Sequence, residues 1–355
     1  MATTMNAPPT LDEPIISEQP APPRRWNAKR ALLPVAGFLA AAILPPLILD
    51  GVWNFTLTLA LIYGLMGLSI VVVTGYVGQL SLMPATFVGV GAFASAGLVA
   101  RAATPFWWAV PLAALVTVPV ALVIGMVALR LKGLYLAIMT LVFADVAEQF
   151  LFRQDWFTGQ GGSSPAPRPH LFHLVDFQSD KSYYVLVVCI VSAFLLFMWN
   201  FSRSRSARAC FAVRDNENGA SAMGINVAKY KLMAFALHGF IAGSAGALYA
   251  HWAQNVSAGG ERPAFGLEVS LAIVFLTILG GVRSIWGPFI GGAIWVILTK
   301  RLLAGNPNGQ SIAFSIFGVL VLVTMLYRPA GLVGIGRDAW RGLRRKRAGQ
   351  ATEST

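Results

Sequence analysis

The chain has 355 residues, of which 56% are apolar and only 12% are charged, and its net charge is +12. A soluble domain carries roughly twice that charged fraction because its surface faces water. The composition therefore excludes an ordinary soluble protein, and the abundance of bulky apolar residues excludes a disordered one. It indicates one polytopic membrane domain, so the basic excess predicts membrane sidedness and gives no reason to expect a nucleic acid partner.

Three regions follow from the composition along the chain. Residues 1–30 are rich in proline and polar side chains, which predicts a disordered cytoplasmic tail. Residues 31–329 carry the apolar runs and form the predicted transmembrane domain. Residues 330–355 contain the sequence RGLRRKR, which predicts a basic cytoplasmic tail facing anionic lipid.

Ten apolar runs are long enough for a helix to cross the ~30 Å hydrocarbon layer of a membrane. Because the polar stretch GYVGQLS and Arg283 each interrupt a run, the predicted number is nine to eleven. Backbone groups in lipid must bond internally, and no alternating strand pattern occurs, so we predict an all-α membrane helix bundle. The runs are 31–49, two within 51–100, 106–129, 133–152, 183–201, 232–252, 266–282, 286–299 and 310–327.

Charge distribution predicts that both termini lie in the cytoplasm. With ten spans and the N-terminus inside, twenty of the 27 lysine and arginine residues fall in inner segments. Lys300 and Arg301 fit this arrangement least well, because they lie at an outer end. The arrangement defines a long outer loop, residues 153–182, and a basic inner segment, residues 202–231.

Catalytic and metal-binding patterns are scarce. The four histidines are not spaced as metal ligands, and Cys189 and Cys210 form no C-x-x-C pair, so we expect two free thiols. No G-x-x-x-x-G-K-[ST] sequence occurs. We therefore expect no cofactor on this chain and no enzymatic activity, and any ATP must bind to partner subunits.

Polar residues within the predicted spans are candidates for a solute path. Asp145 and Glu148 are three residues apart and share one helix face. They can line a path, because a carboxylate in lipid is costly, or they can form a pair at the outer membrane interface. With Gln79 and Ser81 of the GYVGQLS stretch, they make up the candidate translocation path.

Glycines cluster in two stretches, GYVGQLSLMPATFVGVGAFASAG and LGGVRSIWGPFIGG. Small residues let helix backbones approach closely, so tight packing is the first explanation. Both stretches also contain serine and proline, a pattern typical of a broken or re-entrant helix whose freed backbone groups face a cavity. The predicted topology places both on the same side.

The inner segment predicts a short helix outside the membrane. Asp215 or Asn216 can cap it, and Gly224 can end it in a left-handed turn. A helix with one apolar side needs something to cover that side. The pattern alone allows a membrane surface or a partner protein.

Four stretches resemble the LivM-type permease subunit of bacterial ABC importers for branched-chain amino acids. They are residues 67–93, 130–146, 213–251, and 278–292 followed by 327–334, and the likeness covers about residues 50–335. The resemblance implies that the inner segment couples to ATPase subunits, which favours a partner protein over the membrane surface. The residues implied in coupling are Arg214, Asp215, Asn216, Glu217, Gly224, Ile225 and Asn226.

The resemblance also implies the rest of the assembly. This chain is expected to form half of a pathway for leucine, isoleucine or valine in the bacterial inner membrane. A LivH-like second permease is expected to form the other half. Two ATP-binding cassette subunits and an extracytoplasmic solute-binding protein complete the implied importer.

Two alternatives remain open from the sequence. The first is an importer of the same build for urea or short amides, because substrate choice rests largely on the binding protein. The second is a proton-coupled secondary transporter acting alone through Asp145 or Glu148. The second alternative leaves the inner segment unexplained.

Overall fold

The computed structural model describes residues 50–131, 133–159, 162–171, 175–257, 265–303, 305–306, 308–327 and 331–334. The predicted N-terminal tail, the first predicted span (31–49) and nearly all of the predicted C-terminal tail lie outside these residues. Within them the chain is a helix bundle, which confirms the predicted all-α membrane fold.

Nine helices of the described chain occupy the positions of nine predicted spans. Six of these helices are long and apolar enough to cross a membrane, and two shorter apolar stretches, Leu267–Gly280 and Ser311–Tyr327, accompany them. The described α-helices are α1 (Gly51–Ile70), α2 (Pro84–Ala102), α3 (Phe106–Ala128), α4 (Leu134–Gln149), α5 (Asp155–Thr158), α6 (Asp180–Phe201), α7 (Arg205–Asp215), α8 (Glu217–Ala222), α9 (Val227–Ala253), α10 (Leu267–Gly280), α11 (Gly287–Ile297) and α12 (Gly309–Tyr327).

The long outer loop and the inner segment lie at opposite ends of α1. At the start of this helix, a Cβ on Gly51 would lie 4.0 Å from the Asp180 carboxylate of the outer loop. A π-helical turn, Val71–Tyr76, continues the helix, and at its far end the Gly75 carbonyl accepts a hydrogen bond from Arg214. At about 1.5 Å per residue these 26 residues are long enough to cross a bilayer.

We call the end with residues 153–182 the outer end and the opposite end the inner end, following the predicted orientation. Arg101, in the last turn of α2, donates a hydrogen bond to the Trp156 carbonyl in the outer loop, so α2 runs opposite to α1. Arg301 lies beside Trp53 at the outer end, as the ten-span arrangement requires.

Helix caps extend two spans beyond their predicted limits. Ser179 accepts a hydrogen bond from the Ser182 N–H, so α6 begins at Asp180 instead of residue 183. Asn226 accepts one from the Lys229 N–H, so α9 begins at Val227 instead of residue 232. Each cap satisfies an N–H that has no partner within the helix, which lets the helix start among polar residues.

Glycines bring the central helices into backbone contact, as the packing interpretation predicted. A Cβ on Gly246 of α9 would overlap the Val88 carbonyl of α2, and one on Gly291 of α11 would overlap the Leu276 carbonyl of α10. Close approach of this kind lets helices pack without a large side chain between them. The bundle core therefore depends on glycine at these crossings.

Part of each glycine-rich stretch forms a turn at the inner end, on the same side as predicted, and the rest lies in the adjoining helices. The first runs between Tyr76 and Pro84 and the second between Gly280 and Gly287, and a Cβ on Gly75 would overlap the Val282 carbonyl. Their backbone groups bond to protein: the Leu82 N–H, for example, donates to the Thr140 hydroxyl. The two turns therefore pack against each other, and a cavity beside them stays a prediction.

The outer loop folds back on the bundle. Its strand β1 (Ser163–Pro165) pairs antiparallel with β4 (Asn255–Ser257), and β2 (His170–Leu171) pairs with β3 (Val175–Asp176). The pairing with β4 attaches the loop to the end of α9. The described part of this loop is therefore ordered structure at the outer end.

Candidate functional site

The inner segment, residues 202–231, folds into two short helices joined at Asn216. The backbone of Asn216 is extended, with φ −159° and ψ 106°, and its side chain accepts a hydrogen bond from the Gly219 N–H at 3.0 Å. Gly224 has φ +78°, a conformation that favours glycine. Both structural predictions for this segment, the cap and the left-handed turn, are confirmed.

An ion pair ties α8 to the bundle. The Lys231 ammonium lies 2.6 Å from the Glu217 carboxylate, and the side chain of Lys231 is only 2% exposed while that of Glu217 is 28% exposed. A charge so deeply buried needs a partner, because desolvation penalises the isolated ion heavily. Glu217 therefore faces the bundle and is not directed only toward a partner protein.

Arg214 also points toward the bundle. Its guanidinium donates a hydrogen bond of 2.8 Å to the Gly75 carbonyl and lies 2.9 Å from the Asp215 carboxylate. The aliphatic part of its side chain packs on Gly78. The segment thus touches the glycine turn between α1 and α2.

The apex of the segment is open to solvent. Met223, at the end of α8, is 87% exposed, and Ser221, Ala222 and Gly224 are exposed beside it. Cys210 on α7 is buried, and this burial raises the pKa of its thiol to about 11. It is therefore protonated and unreactive at neutral pH. The apex, not the thiol, is the surface available to a partner.

Gln79 and Ser81 lie in the glycine turn between α1 and α2, and both are buried. Neither the side-chain amide of Gln79 nor the hydroxyl of Ser81 has a hydrogen-bond partner among the described residues. Buried polar groups normally have partners, so such groups need an explanation. Gln79 and Ser81 are therefore buried polar side chains near the inner end of the bundle, without partners in the described part of the chain.

The structure separates the roles of the two acidic residues. Glu148 accepts a hydrogen bond of 3.1 Å from the Leu267 N–H, the first residue of α10. A carboxylate is favourable at a helix N-terminus, so this contact explains how the charge of Glu148 is stabilised. Asp145 is exposed and accepts two hydrogen bonds from the Gln149 amide on the same helix.

The four candidate path residues lie on two elements. Gln79 and Ser81 lie in the turn before α2, and Asp145 and Glu148 lie on α4, where Asp145 is exposed and Glu148 bonds the first residue of α10. In the described part of the chain, no group of three or more His, Cys, Asp or Glu side chains could hold a metal ion. A path through all four residues stays a prediction.

Sequence reasoning missed three residues that organise this site. The sequence identified Lys231 only as one of the basic residues of the inner segment, whereas the structure shows that it forms the buried ion pair with Glu217. The hydroxyls of Thr140 and Ser270 accept hydrogen bonds from the N–H groups of Leu82 and Ala85 and so hold the glycine turn. Only the charge of Lys231 close to an apolar run offered a signal in the sequence.

Comparison with protein families gives a match over most of the chain. Residues 53–326 match the family described as branched-chain amino acid transport system / permease component. The matched region includes every helix from α2 to α11 and nearly all of α1 and α12. No solved structure matches the chain.

Three curated relatives illustrate the similarity. The high-affinity branched-chain amino acid transport permease LivM of Salmonella typhimurium is 29% identical over 79% of this chain and 69% of its own length. LivM of Escherichia coli is 28% identical over 88% of this chain and 76% of its own length. A probable LivH permease of Methanocaldococcus jannaschii is 26% identical over 63% of this chain and 64% of its own length.

Proposed function

The chain belongs to the family of permease components of branched-chain amino acid transport systems, and from this premise we propose that it forms half of the transmembrane pathway of an ATP-driven importer for leucine, isoleucine and valine. It is a multi-pass membrane protein of the bacterial inner membrane. A LivH-like permease forms the other half, since the chain is similar to both LivM and LivH relatives.

The observation that carries this proposal is the folded inner segment. Its helix α8 presents an exposed apex at Met223, while Arg214 and Glu217 attach it to the bundle. A short helix held at its base and exposed at its apex can pass movement from a soluble partner to membrane helices. Two ATP-binding cassette subunits fit this role, because this chain contains no P-loop of its own.

The ordered outer loop supports an extracytoplasmic partner. Arg168 is 6% exposed, forms an ion pair of 2.7 Å with Asp180 and donates to the Gln178 carbonyl. The loop therefore offers a defined surface at the end opposite the ATPases. We assign docking of a solute-binding protein to this surface.

For the pathway itself, the candidates are Gln79, Ser81, Asp145 and Glu148. Gln79 and Ser81 are buried polar groups that a hydrated path would satisfy. Asp145 is exposed on the otherwise apolar face of α4, where neighbours such as Val142 are also exposed. A carboxylate on such a face favours contact with protein or water over lipid, which fits an interface with the second permease.

The experiment that tests this function begins with purification of the tagged chain from its native membranes. We expect two ATP-binding cassette subunits and a second permease to co-purify. In proteoliposomes with the matching binding protein, this complex should import leucine with ATP and fail to do so with a non-hydrolysable ATP analogue.

Two outcomes would correct or overturn the proposal. Import of urea or a short amide instead of leucine would keep the importer class and change the substrate. Uptake driven by a proton gradient, by the purified chain alone, would establish a secondary transporter instead. An Asp145→Asn variant then tells whether that carboxylate carries the proton.

A further inference from the structure

We propose that Arg214 is the positioning residue through which movement of the 202–231 segment reaches the transmembrane helices, by holding the Gly75 carbonyl at the inner end of α1. This inference rests on the proposed function and adds the point of transmission within this chain. Arg214 lies in the last turn of α7, two residues before Asn216, which caps α8. A rotation of α8 is therefore passed through Asn216 and Asp215 to Arg214.

The contact with α1 is close and specific in geometry. The Arg214 guanidinium donates to the Gly75 carbonyl at 2.8 Å. Gly78 has φ +75°, and a Cβ there would lie 2.7 Å from Cγ of Arg214. A glycine at position 78 thus serves two needs at once, a left-handed backbone and space for the arginine side chain.

Aromatic packing reinforces the same junction. Phe211, one turn before Arg214 on α7, lies edge-on to Tyr76 with ring centres 4.9 Å apart. The Arg214 guanidinium stands 5.3 Å from the Phe211 ring centre. Tyr76 is the last residue of the π-helical turn, so α7 holds the end of α1 by a ring contact and a hydrogen bond together.

Gly75 in turn packs directly on the backbone of the turn between α10 and α11. A Cβ on Gly75 would overlap the Val282 carbonyl in the turn between α10 and α11. A Cβ on Gly331, where φ is +70°, would lie 2.5 Å from the backbone of Gly281. With no side chain between these turns, a shift of Gly75 cannot be absorbed by a rotamer change and must displace Val282.

Asp215 binds the same guanidinium from the solvent side. Its carboxylate accepts a hydrogen bond of 3.0 Å from Nε of Arg214. The Asp215 side chain is 66% exposed, whereas the Arg214 side chain is 21% exposed. The arginine is therefore shared between an exposed carboxylate and a carbonyl of the membrane helix. A basic group on an ATPase that approaches Asp215 would strengthen the hold on Gly75.

The first test compares Arg214→Met with Arg208→Met in the reconstituted importer. Methionine keeps apolar bulk beside Gly78 and removes every donor to Gly75. Arg208 lies on the same helix, is exposed, and donates only to the Arg203 carbonyl within the segment. We expect Arg214→Met to assemble and hydrolyse ATP while uptake per ATP falls about tenfold, and Arg208→Met to match the wild type.

Rescue separates transmission from a general structural role. Lysine retains one donor for the Gly75 carbonyl, so Arg214→Lys should recover part of the uptake per ATP. Unchanged uptake per ATP in an assembled Arg214→Met complex would overturn the inference. Absence of ATP-dependent uptake in the wild-type complex would instead overturn the proposed function.

A covalent link provides a test that does not depend on the methionine variant folding. An ideal Cβ at position 78 lies 3.5 Å from Cβ of Arg214, within the ~3.5–4.5 Å spacing of a disulfide. In the double variant Gly78→Cys/Arg214→Cys, with Cys189 and Cys210 replaced, oxidation should raise uptake per ATP above that of the reduced form. Equal or lower uptake after oxidation would show that the two groups do not move together.

Discussion

At the outer end of the bundle a loop is held by side chains and strand pairing, whereas at the inner end helix turns meet backbone to backbone. The outer contacts include Arg168 with Asp180, and His251, which bonds the Pro167 carbonyl at 2.7 Å and the Ser95 hydroxyl at 3.0 Å. Because a carbonyl only accepts, Nδ1 of His251 carries the proton and Nε2 accepts from Ser95. Side chains can adjust when such contacts are perturbed.

The inner end has much less freedom to adjust. Gly75, Gly280 and Gly331 lie where a single added methyl group would meet backbone atoms. Packed interiors pass on displacement instead of absorbing it. The difference fits the proposed role of the inner end, which is to transmit movement from the 202–231 segment.

The largest expected effect comes from Gly75→Ala. Its new methyl group would overlap the Val282 carbonyl, and overpacking of this kind costs about 1–3 kcal/mol. We expect most ATP-driven uptake to be lost and the midpoint of thermal unfolding in detergent to fall by several degrees.

The matched control is Gly97→Ala, because in the described part of the chain a Cβ at that position in α2 would meet no atom within 4 Å beyond the helix's own local backbone. Alanine favours a helix over glycine by about 1 kcal/mol, so its stability should be equal or slightly higher. Equal unfolding midpoints for the two variants would contradict the backbone packing described for the inner turns.

A smaller effect on uptake, with a comparable effect on stability, is expected at the buried pair of Lys231 and Glu217. Glu217→Gln leaves the buried ammonium without its carboxylate, and loss of one partner of such a pair lowers the free energy of unfolding by about 3 kcal/mol. The double variant Glu217→Gln/Lys231→Met should regain most of this loss. Chemical denaturation of the purified complex measures each value.

Two comparisons make this prediction selective. Lys229→Met, an exposed lysine on the same turn of α9, should leave stability unchanged. Uptake per ATP in the double variant shows how Glu217 acts. If uptake per ATP recovers, Glu217 acts through Lys231. If uptake and ATP hydrolysis stay uncoupled, Glu217 also contacts the ATPase. Additive losses in the double variant would contradict the pairing.

The smallest effect is expected at the outer end. Arg168→Met removes the ion pair with Asp180 and the hydrogen bond to Gln178, which together contribute about 1–2 kcal/mol. Residues 153–182 should then become sensitive to protease added outside, while basal ATP hydrolysis stays unchanged. Lys181→Met, an exposed neighbour, should leave protease resistance intact, and equal cleavage in both variants would contradict the role given to Arg168.

Much of the fold followed from local patterns. Apolar runs predicted nine of the described helices near their observed limits, and Asn216 and Gly224 predicted the cap and the turn of the inner segment. These features depend on neighbouring residues, so a single sequence is enough to predict them. The glycine stretches did not show which turns would pack against each other, because that contact joins residues far apart along the chain.

The sequence by itself determined the membrane class, the helix positions, the absence of a P-loop and the resemblance to permeases of ABC importers. Only the tertiary structure decided that Arg214 bonds Gly75 and that Glu148 bonds the start of α10 at Leu267. These partners are more than one hundred residues apart along the chain. Their meeting depends on how whole helices pack, and no local pattern of charge or hydropathy records that packing.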